Sequence, residues 1–236
     1  MLSVIIPTFN EIKNGYIQKT FPLLKNTNDI EVIIVDSKST DGTTELAQKY
    51  NFKVIQVETT SRAKRLNLGI QSAKGQMVLL HHPRSLLSVD ALNMLKVEQE
   101  ELYWGAFTHK FDFAHPLLKF TSWYSNKVRG DFRHIYYLDH CLFIKKEIFD
   151  EIGLIPELDI FEDTELCKLL NSYCEPIRLD PISITSAIRF KSKGVFKQAL
   201  INQYLKLRYY FNFNHKKMNK LYERSLDLNS EYKEND

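Results

Sequence analysis

The chain has 236 residues, 44% of them hydrophobic, 12% aromatic and 26% charged. That is the length of one large domain with ordinary globular composition; it excludes a mini-protein, a disulfide scaffold and wholesale disorder. A net charge of +3 is too weak to point to nucleic acid, and apolar runs such as Val32–Val35 and Met77–Leu80 fall far short of the roughly 20 residues a bilayer span needs.

Leu2–Pro7 is a short β-branched run stopped by proline and reads as a buried strand. Ile17–Leu24, with Pro22 inside it, suggests a short or broken helix. Ile30–Val35 is a second strand, ending at Asp36. Ser39–Glu45 is a turn that leads into a helix over Thr44–Tyr50, and Lys53–Val57 is a third strand. Ala63, Leu66, Ile70 and Ala73 recur at spacings of three and four, so Ser61–Ala73 reads as a helix, with Lys74-Gly75 as its C-cap. Gln76–Leu80 is a fourth strand running into His81-His82-Pro83-Arg84-Ser85.

Strand and helix alternate over the first ninety residues, and the strands are continuous apolar runs. This pattern belongs to a parallel sheet covered on both faces, whose ligands bind beyond the carboxyl ends of the strands. Three polar loops then share one rim: Thr8–Glu11, Asp36–Ser39 and His81–Arg84.

Beyond Ser88 the pattern gives a helix over Val89–Glu101, strand then helix over Leu142–Ile152, a loop over Leu154–Phe161 and a helix over Glu162–Leu170 that begins with acids. The aromatic-rich stretch Tyr103–Tyr137 yields no assignment. Phe196–Tyr210 reads as a helix with a hydrophobic face, and Glu223–Asp236 as a frayed polar tail. Cys141, Cys167 and Cys174 form no Cys-x-x-Cys pair and suggest no zinc site. Reduced thiols fit a cytoplasmic setting, and the N-terminus shows no signal-peptide pattern.

The loop residues resemble those of a known family. Ser3–Glu11 (Ser-Val-Ile-Ile-Pro-Thr-Phe-Asn-Glu) and Val32–Thr43 (Val-Ile-Ile-Val-Asp-Ser-Lys-Ser-Thr-Asp-Gly-Thr) resemble the first two strand–loop units of inverting family 2 glycosyltransferases. Ser61–Asn67 (Ser-Arg-Ala-Lys-Arg-Leu-Asn) resembles the Gly-Arg-Ala-x-Gln-x-Asn segment of one bacterial branch. Phe161–Leu166 resembles the family's Glu-Asp motif, while Ile184–Arg189 and Lys193–Val195 resemble a segment near its C-terminal end. The resemblance runs in order over residues 2–210; any one motif is weak, the ordered set strong.

The resemblance implies an α/β GT-A (nucleotide-diphospho-sugar transferase) fold: a central, mostly parallel sheet flanked by helices, with a C-terminal helical segment. It divides a single domain, residues 1–222, into a nucleotide-binding half (1–90), an acceptor-side half (91–190) and a basic amphipathic helical segment (191–222), with 223–236 as a tail. It implies sugar transfer from a nucleotide-diphosphate donor to an acceptor with inversion. Pro7, Thr8, Asn10, Glu11, Asp36, Ser39, Asp41, Asn67 and His82 would face the nucleotide sugar, with Arg62 and Arg65 suited to phosphate oxygens. Glu162-Asp163 would supply the general base, Asp163 being the family-matched residue. Two adjacent acids also raise one another's pKa, which suits a base.

One position departs from the family. Where its Asp-x-Asp motif would hold Mn²⁺ or Mg²⁺ on the pyrophosphate, this chain has His82-Pro83-Arg84, and a cation does not ligate a cation. Three readings are open: Arg84 takes the metal's place on the leaving diphosphate; His81 or His82 binds a metal with another acid such as Asp139; or the protein binds nucleotide sugar without catalysis.

Bland readings stand beside these. Thr40 and Asp41 suit a turn, Arg62, Lys64 and Arg65 a solvated helix face, and Glu162, Asp163 and Glu165 a helix N-terminus. Asp139-His140 resembles a family Asp-Gln pair only weakly, and His109, His115 and His134 have no ligand spacing, so these three read as structural or surface residues. From Pro181 to Tyr222 there is no Asp or Glu, and Phe196, Leu200, Tyr204, Leu207 and Phe211 recur at helical spacing. That stripe suits packing on the domain, a peripheral contact of residues 189–222 with anionic lipid at the inner face of a membrane, where a lipid-linked acceptor would reside, or a homodimer contact.

Overall fold

A computed structural model describes residues 1–59, 61–224, 226, 228 and 229. An eight-stranded sheet runs through it. Its first half is parallel: β1 (Leu2–Thr8) lies between β2 (Ile30–Asp36) and β4 (Met77–Leu80), and β3 (Lys53–Gln56) extends β2. All seven β1 residues are buried. Alternate side chains feed opposite layers: Ile5, Ile33 and Val35 enter one core, and Val4, Ile6 and Ile34 the other.

Helices cover both faces. α1 (Ile17–Lys25) and α4 (Val89–Glu98) pack on one; α3 (Arg62–Ser72) and α7 (Glu162–Tyr173) pack on the other. α2 (Thr43–Lys49) joins β2 to β3. Pro22 sits inside α1 without breaking it. Ser61 caps α3 by accepting from the Lys64 N–H. The C-cap of α3 is Ala73 rather than Lys74-Gly75. Gly75 serves close approach instead: a Cβ there would lie 2.6 Å from the Met1 carbonyl oxygen.

The second half of the sheet is mixed. β7 (Leu142–Lys145) runs antiparallel to both β4 and β6 (Trp104–Phe111), while β6 pairs in parallel with β8 (Ile177–Thr185) and the short β5 (Ser85–Leu86) closes the edge antiparallel to β8. The unassigned aromatic stretch is thus β6, α5 (Pro116–Tyr124) and a π-helical continuation, Ser125–Phe132. β8 escapes a periodicity reading because it is bulged: Phe107 pairs with Leu179 and Thr108 with Ile182, leaving Asp180 and Pro181 out of register. α6 (Ile148–Ile152), α8 (Ile188–Lys193), α9 (Val195–Tyr210) and α10 (His215–Glu223) complete the fold. Of the stretch expected as a polar tail, Glu223 and Leu228 are buried. Residues 225, 227 and 230–236 lie outside those described.

Candidate functional site

Because β1, β2 and β4 are parallel, the three polar loops leave the sheet on one side and knit together. Thr8 pairs with Asp36 across the strand ends, and its hydroxyl donates to the Asp36 carboxylate at 2.7 Å. Asp36 also accepts from the Ser39 N–H (2.7 Å) and hydroxyl (2.6 Å). Asn10, at φ +50°, donates its N–H to Ser39 Oγ and accepts from the Thr40 N–H; Asp41 accepts from the Ile12 N–H. Pro7 lies within β1, opposite Val35. Asn67 stands apart from this group, with both ends of its amide bound to the Ile155 backbone at 2.9 and 3.0 Å; there it anchors the loop before α7.

Arg84 is buried against Glu11, Nη1 to Oε1 at 2.5 Å. Burial raises the Glu11 carboxyl above its usual range, with Arg84 opposing, and burial lowers Arg84. The Arg84 fork is completed by the chain's far end: Nη1 donates to the Leu228 carbonyl at 3.0 Å and Nη2 to Asn229 Oδ1 at 2.5 Å. Arg65 donates to the Thr8 carbonyl and the Asn229 carbonyl, each at 2.7 Å. Glu223 organises this end, accepting from Arg189 and from the Leu228 and Asn229 N–H groups.

The residues at the family's metal position do not suit a divalent ion. A guanidinium occupies the place of the carboxylate, and it forms an ion pair with the neighbouring carboxylate of Glu11. Burial keeps His81 neutral, its pKa lowered to about 4, and burial together with Arg84 holds His82 well below the usual range. His82 Nδ1 accepts from the Arg84 N–H. Among the described residues no three His, Cys, Asp or Glu side chains converge as a metal centre.

The acid pair comes from α7. Phe161, just before it, adopts φ +65°, a left-handed conformation uncommon for an aromatic residue; it turns the chain so that Glu162 and Asp163 open the helix buried against the domain. Arg62 Nε donates to Glu162, and Arg62 Nη2 lies 3.7 Å from Asp163 Oδ2. Asp163 also accepts from the Leu138 N–H at 3.1 Å and the Thr164 N–H at 2.9 Å. Burial, reinforced by the Glu162 charge, pushes its pKa up to about 6. Burial disfavours the Arg62 charge, but Glu162 and Asp163 outweigh it and push that pKa up.

A cavity of about 190 Å³ unites part of this set. Arg62, His82, Arg84 and Asp163 line it; Pro7, Thr8, Asn10, Glu11, Asp36, Ser39, Asp41, Arg65, Asn67 and Glu162 stand outside its wall. Side chains outside the sequence-predicted set also line it. His109, from β6, is buried with Nε2 3.5 Å from Asp139 Oδ2, and neither of its ring nitrogens has a hydrogen-bond partner among the described residues. Arg129 stacks on Tyr137, its guanidinium carbon 3.4 Å from the ring centroid. Lys206, from α9, is lowered to about 8 by burial, with Arg129 and Arg133 adding repulsion. These residues come from a strand, a π-helical turn and a distant helix, so no local spacing announces them.

Comparison with known proteins fits this layout. Residues 3–83 match the model of glycosyl transferase family 2. Over 89 residues the chain is 37% identical to the poly(ribitol-phosphate) beta-N-acetylglucosaminyltransferase TarS of Staphylococcus aureus, covering 33% of this chain and 15% of that protein. Over 90 residues it is 38% identical to the dolichyl N-acetyl-alpha-D-glucosaminyl phosphate 3-beta-D-2,3-diacetamido-2,3-dideoxy-beta-D-glucuronosyltransferase of Methanococcus voltae, covering 34% of this chain and 27% of that one. The matched stretch is thus under a third of either relative. In three dimensions the chain resembles a crystal structure of S. aureus TarS 1–349, with a TM-score of 0.60 and 24% identity over 79% of this chain and 58% of that one. The fold is the GT-A fold of these transferases: a central, mostly parallel sheet flanked by helices.

Proposed function

We propose that the chain is an inverting glycosyltransferase that takes a sugar from a nucleotide-diphosphate donor, with Asp163 as the general base. The family match over residues 3–83 and the sugar-transferring relatives support donor chemistry of this kind, and TarS has been crystallised with UDP-GlcNAc. The observation that carries the reading is one cavity wall holding Arg62, Arg84 and Asp163 together. The first two are fixed positive charges for a departing diphosphate; the third is a buried carboxyl whose raised pKa suits proton removal near neutrality.

In this reading the loops at the ends of β1 and β2 hold the nucleoside. The hydrogen bonds among Thr8, Asp36, Ser39 and Asn10 fix their shape beforehand, so little ordering remains to be done on binding. Asp163 takes the proton of an acceptor hydroxyl as that oxygen attacks the sugar C1. The C1–oxygen bond to the diphosphate breaks on the opposite face, which inverts the centre. Arg84 and Arg62 stabilise the negative charge gathering on the diphosphate, with Arg84 acting where the family places a metal ion.

One observation favours a second reading, that of a catalytically silent nucleotide-sugar-binding protein. The Arg84 guanidinium is already satisfied by Glu11, Leu228 and Asn229. Thermal shift and donor hydrolysis across a panel of UDP- and GDP-sugars, with Mn²⁺ and with EDTA, decide between them. Turnover that survives EDTA supports the transferase with Arg84 in the metal's place; binding with no turnover of any donor supports the silent protein.

A further inference from the structure

The apolar stripe on α9 faces outward. Phe196, Leu200, Tyr204 and Leu207 are between 45% and 71% exposed. The inner side of α9 is made by other residues: Gln198 and Leu205 are buried, Val195 and Ala199 pack toward Leu118 and Phe190, and Ile201 and Tyr209 pack toward Phe161 and Met218. Packing on the domain therefore does not account for the stripe. The neighbouring helix repeats the arrangement, since Phe120 and Trp123 of α5 are more than half exposed while Leu118 and Ser122 are buried. The helices adjoin: the Phe196 ring lies 6.1 Å from His115 at the start of α5, and Lys206 Nζ lies 5.9 Å from the Tyr124 ring. Their apolar residues thus stand on adjacent elements, and an exposed apolar surface on that scale marks an interaction site.

Charge identifies the partner. Residues 113–130 and 181–222, which hold both helices, contain no Asp or Glu at all. Lys119 on the α5 side and Lys197, Lys216 and Lys217 on the α9–α10 side are exposed, and so is Lys127, which pairs with Asp131. Aromatic side chains within a predominantly cationic surround, relieved only at its edges by Asp112 and Asp131, match the interface of an anionic bilayer. No described helix is long and apolar enough to cross a membrane, so the contact is one that lies on the surface.

We propose that the outer face of α5 and α9 docks on an anionic lipid surface. The aromatic and leucine side chains enter the headgroup region, and the lysines supply attraction to lipid phosphates. The inner sides of the same helices wall the cavity through Thr121, Asn202 and Lys206. Docking by this face therefore brings the cavity to the membrane, and, on the transferase reading above, selects an acceptor hydroxyl carried on a lipid.

The test is flotation of the chain with vesicles of phosphatidylcholine alone and with about one-third phosphatidylglycerol, at low and high salt. The expected result is binding to the anionic vesicles only, weakened by salt, and reduced at least about tenfold in Leu200→Glu and in Trp123→Glu. Circular dichroism and UDP binding are measured on the same samples, and both variants are expected to match the parent. The proposal is overturned if the parent chain stays unbound with both vesicle types or if the two variants bind as the parent does. It is equally overturned if ultracentrifugation shows a dimer that Leu200→Glu dissociates while vesicle binding is unaltered. A parent chain that binds UDP but neither vesicle type removes the docking face and leaves the donor reading standing; a parent chain that binds anionic vesicles but no nucleotide does the reverse.

Discussion

Arg62 Nη2 stands 3.7 Å from Asp163 Oδ2, so a residue suited to the donor's phosphates touches the residue suited to the acceptor's proton. Both leave their helices at the first turn, α3 and α7 respectively, and Glu162 binds the other edge of the guanidinium. Asp163→Asn keeps the size of the side chain and an acceptor for the Leu138 N–H, but removes the proposed base. Donor-dependent transfer is expected to fall about a hundredfold to ten-thousandfold, with UDP affinity changed little. Steady-state kinetics beside calorimetric UDP titration checks this; normal turnover by the variant removes Asp163 from the mechanism.

The raised Asp163 pKa fixes the sign of two pH effects. Catalysis by its ionised form should rise with pH to about 6 and level above it. Stability runs the other way. Between the ordinary aspartate value, 3.8, and about 6 the folded chain holds a proton that the unfolded chain has released, so this group's contribution to stability declines as pH climbs through that window. Above it, burial of the charge leaves a constant penalty. Asp163→Asn should therefore melt higher than the parent at pH 7 to 8, with the gap narrowing as pH drops below about 6. Melting curves of both proteins across that range provide the check.

Arg84 and Glu11 neutralise one another in the interior. Arg84→Ala leaves a buried carboxylate without its ion-pair partner and is expected to cost about 3 kcal/mol or more. Arg84→Lys restores a positive charge without the planar fork, so it should recover most of the melting temperature but little of the donor turnover. Denaturant unfolding and donor hydrolysis separate the two effects. Full activity in Arg84→Lys, or abolition of the parent's activity by EDTA, would contradict the role given to Arg84.

Gly105 tests the join between β6 and β8. A Cβ at this position would lie 1.9 Å from the Ile177 carbonyl oxygen and 2.6 Å from the Phe143 ring. Neither the backbone nor a core phenylalanine yields easily. Gly105→Ala is expected to destabilise by about 2 kcal/mol or more, read from denaturant midpoints.

The first half of the sheet was legible because its strands are buried on both faces and its loops follow them directly. Val32–Asp36 announces both a strand and the residue that ends it. The second half was harder for identifiable reasons. β8 carries Pro181 at a bulge, which breaks the alternation a reader looks for. His109 and Asp139 are thirty residues apart and meet only because β6 and the turn before β7 adjoin, so neither has a spacing to reveal it. Asn67 shows the opposite limit, since a residue matching a motif is bound to the Ile155 backbone. Periodicity located the stripe on α9 but carried no information about which side of the helix the domain would cover.

Leu228 and Asn229 rest on the Arg84 guanidinium, one of the two that the proposed mechanism gives to the diphosphate, and Asn229 rests on Arg65 as well. On the transferase reading, a diphosphate arriving there meets a latched clamp, not an open one, and must exchange places with Leu228 and Asn229. Its measured affinity then equals the intrinsic one scaled by the share of molecules standing unlatched. Changes near Glu223, which holds the latch shut through Arg189 and the Leu228 and Asn229 amides, would retune donor uptake from a position the donor never touches.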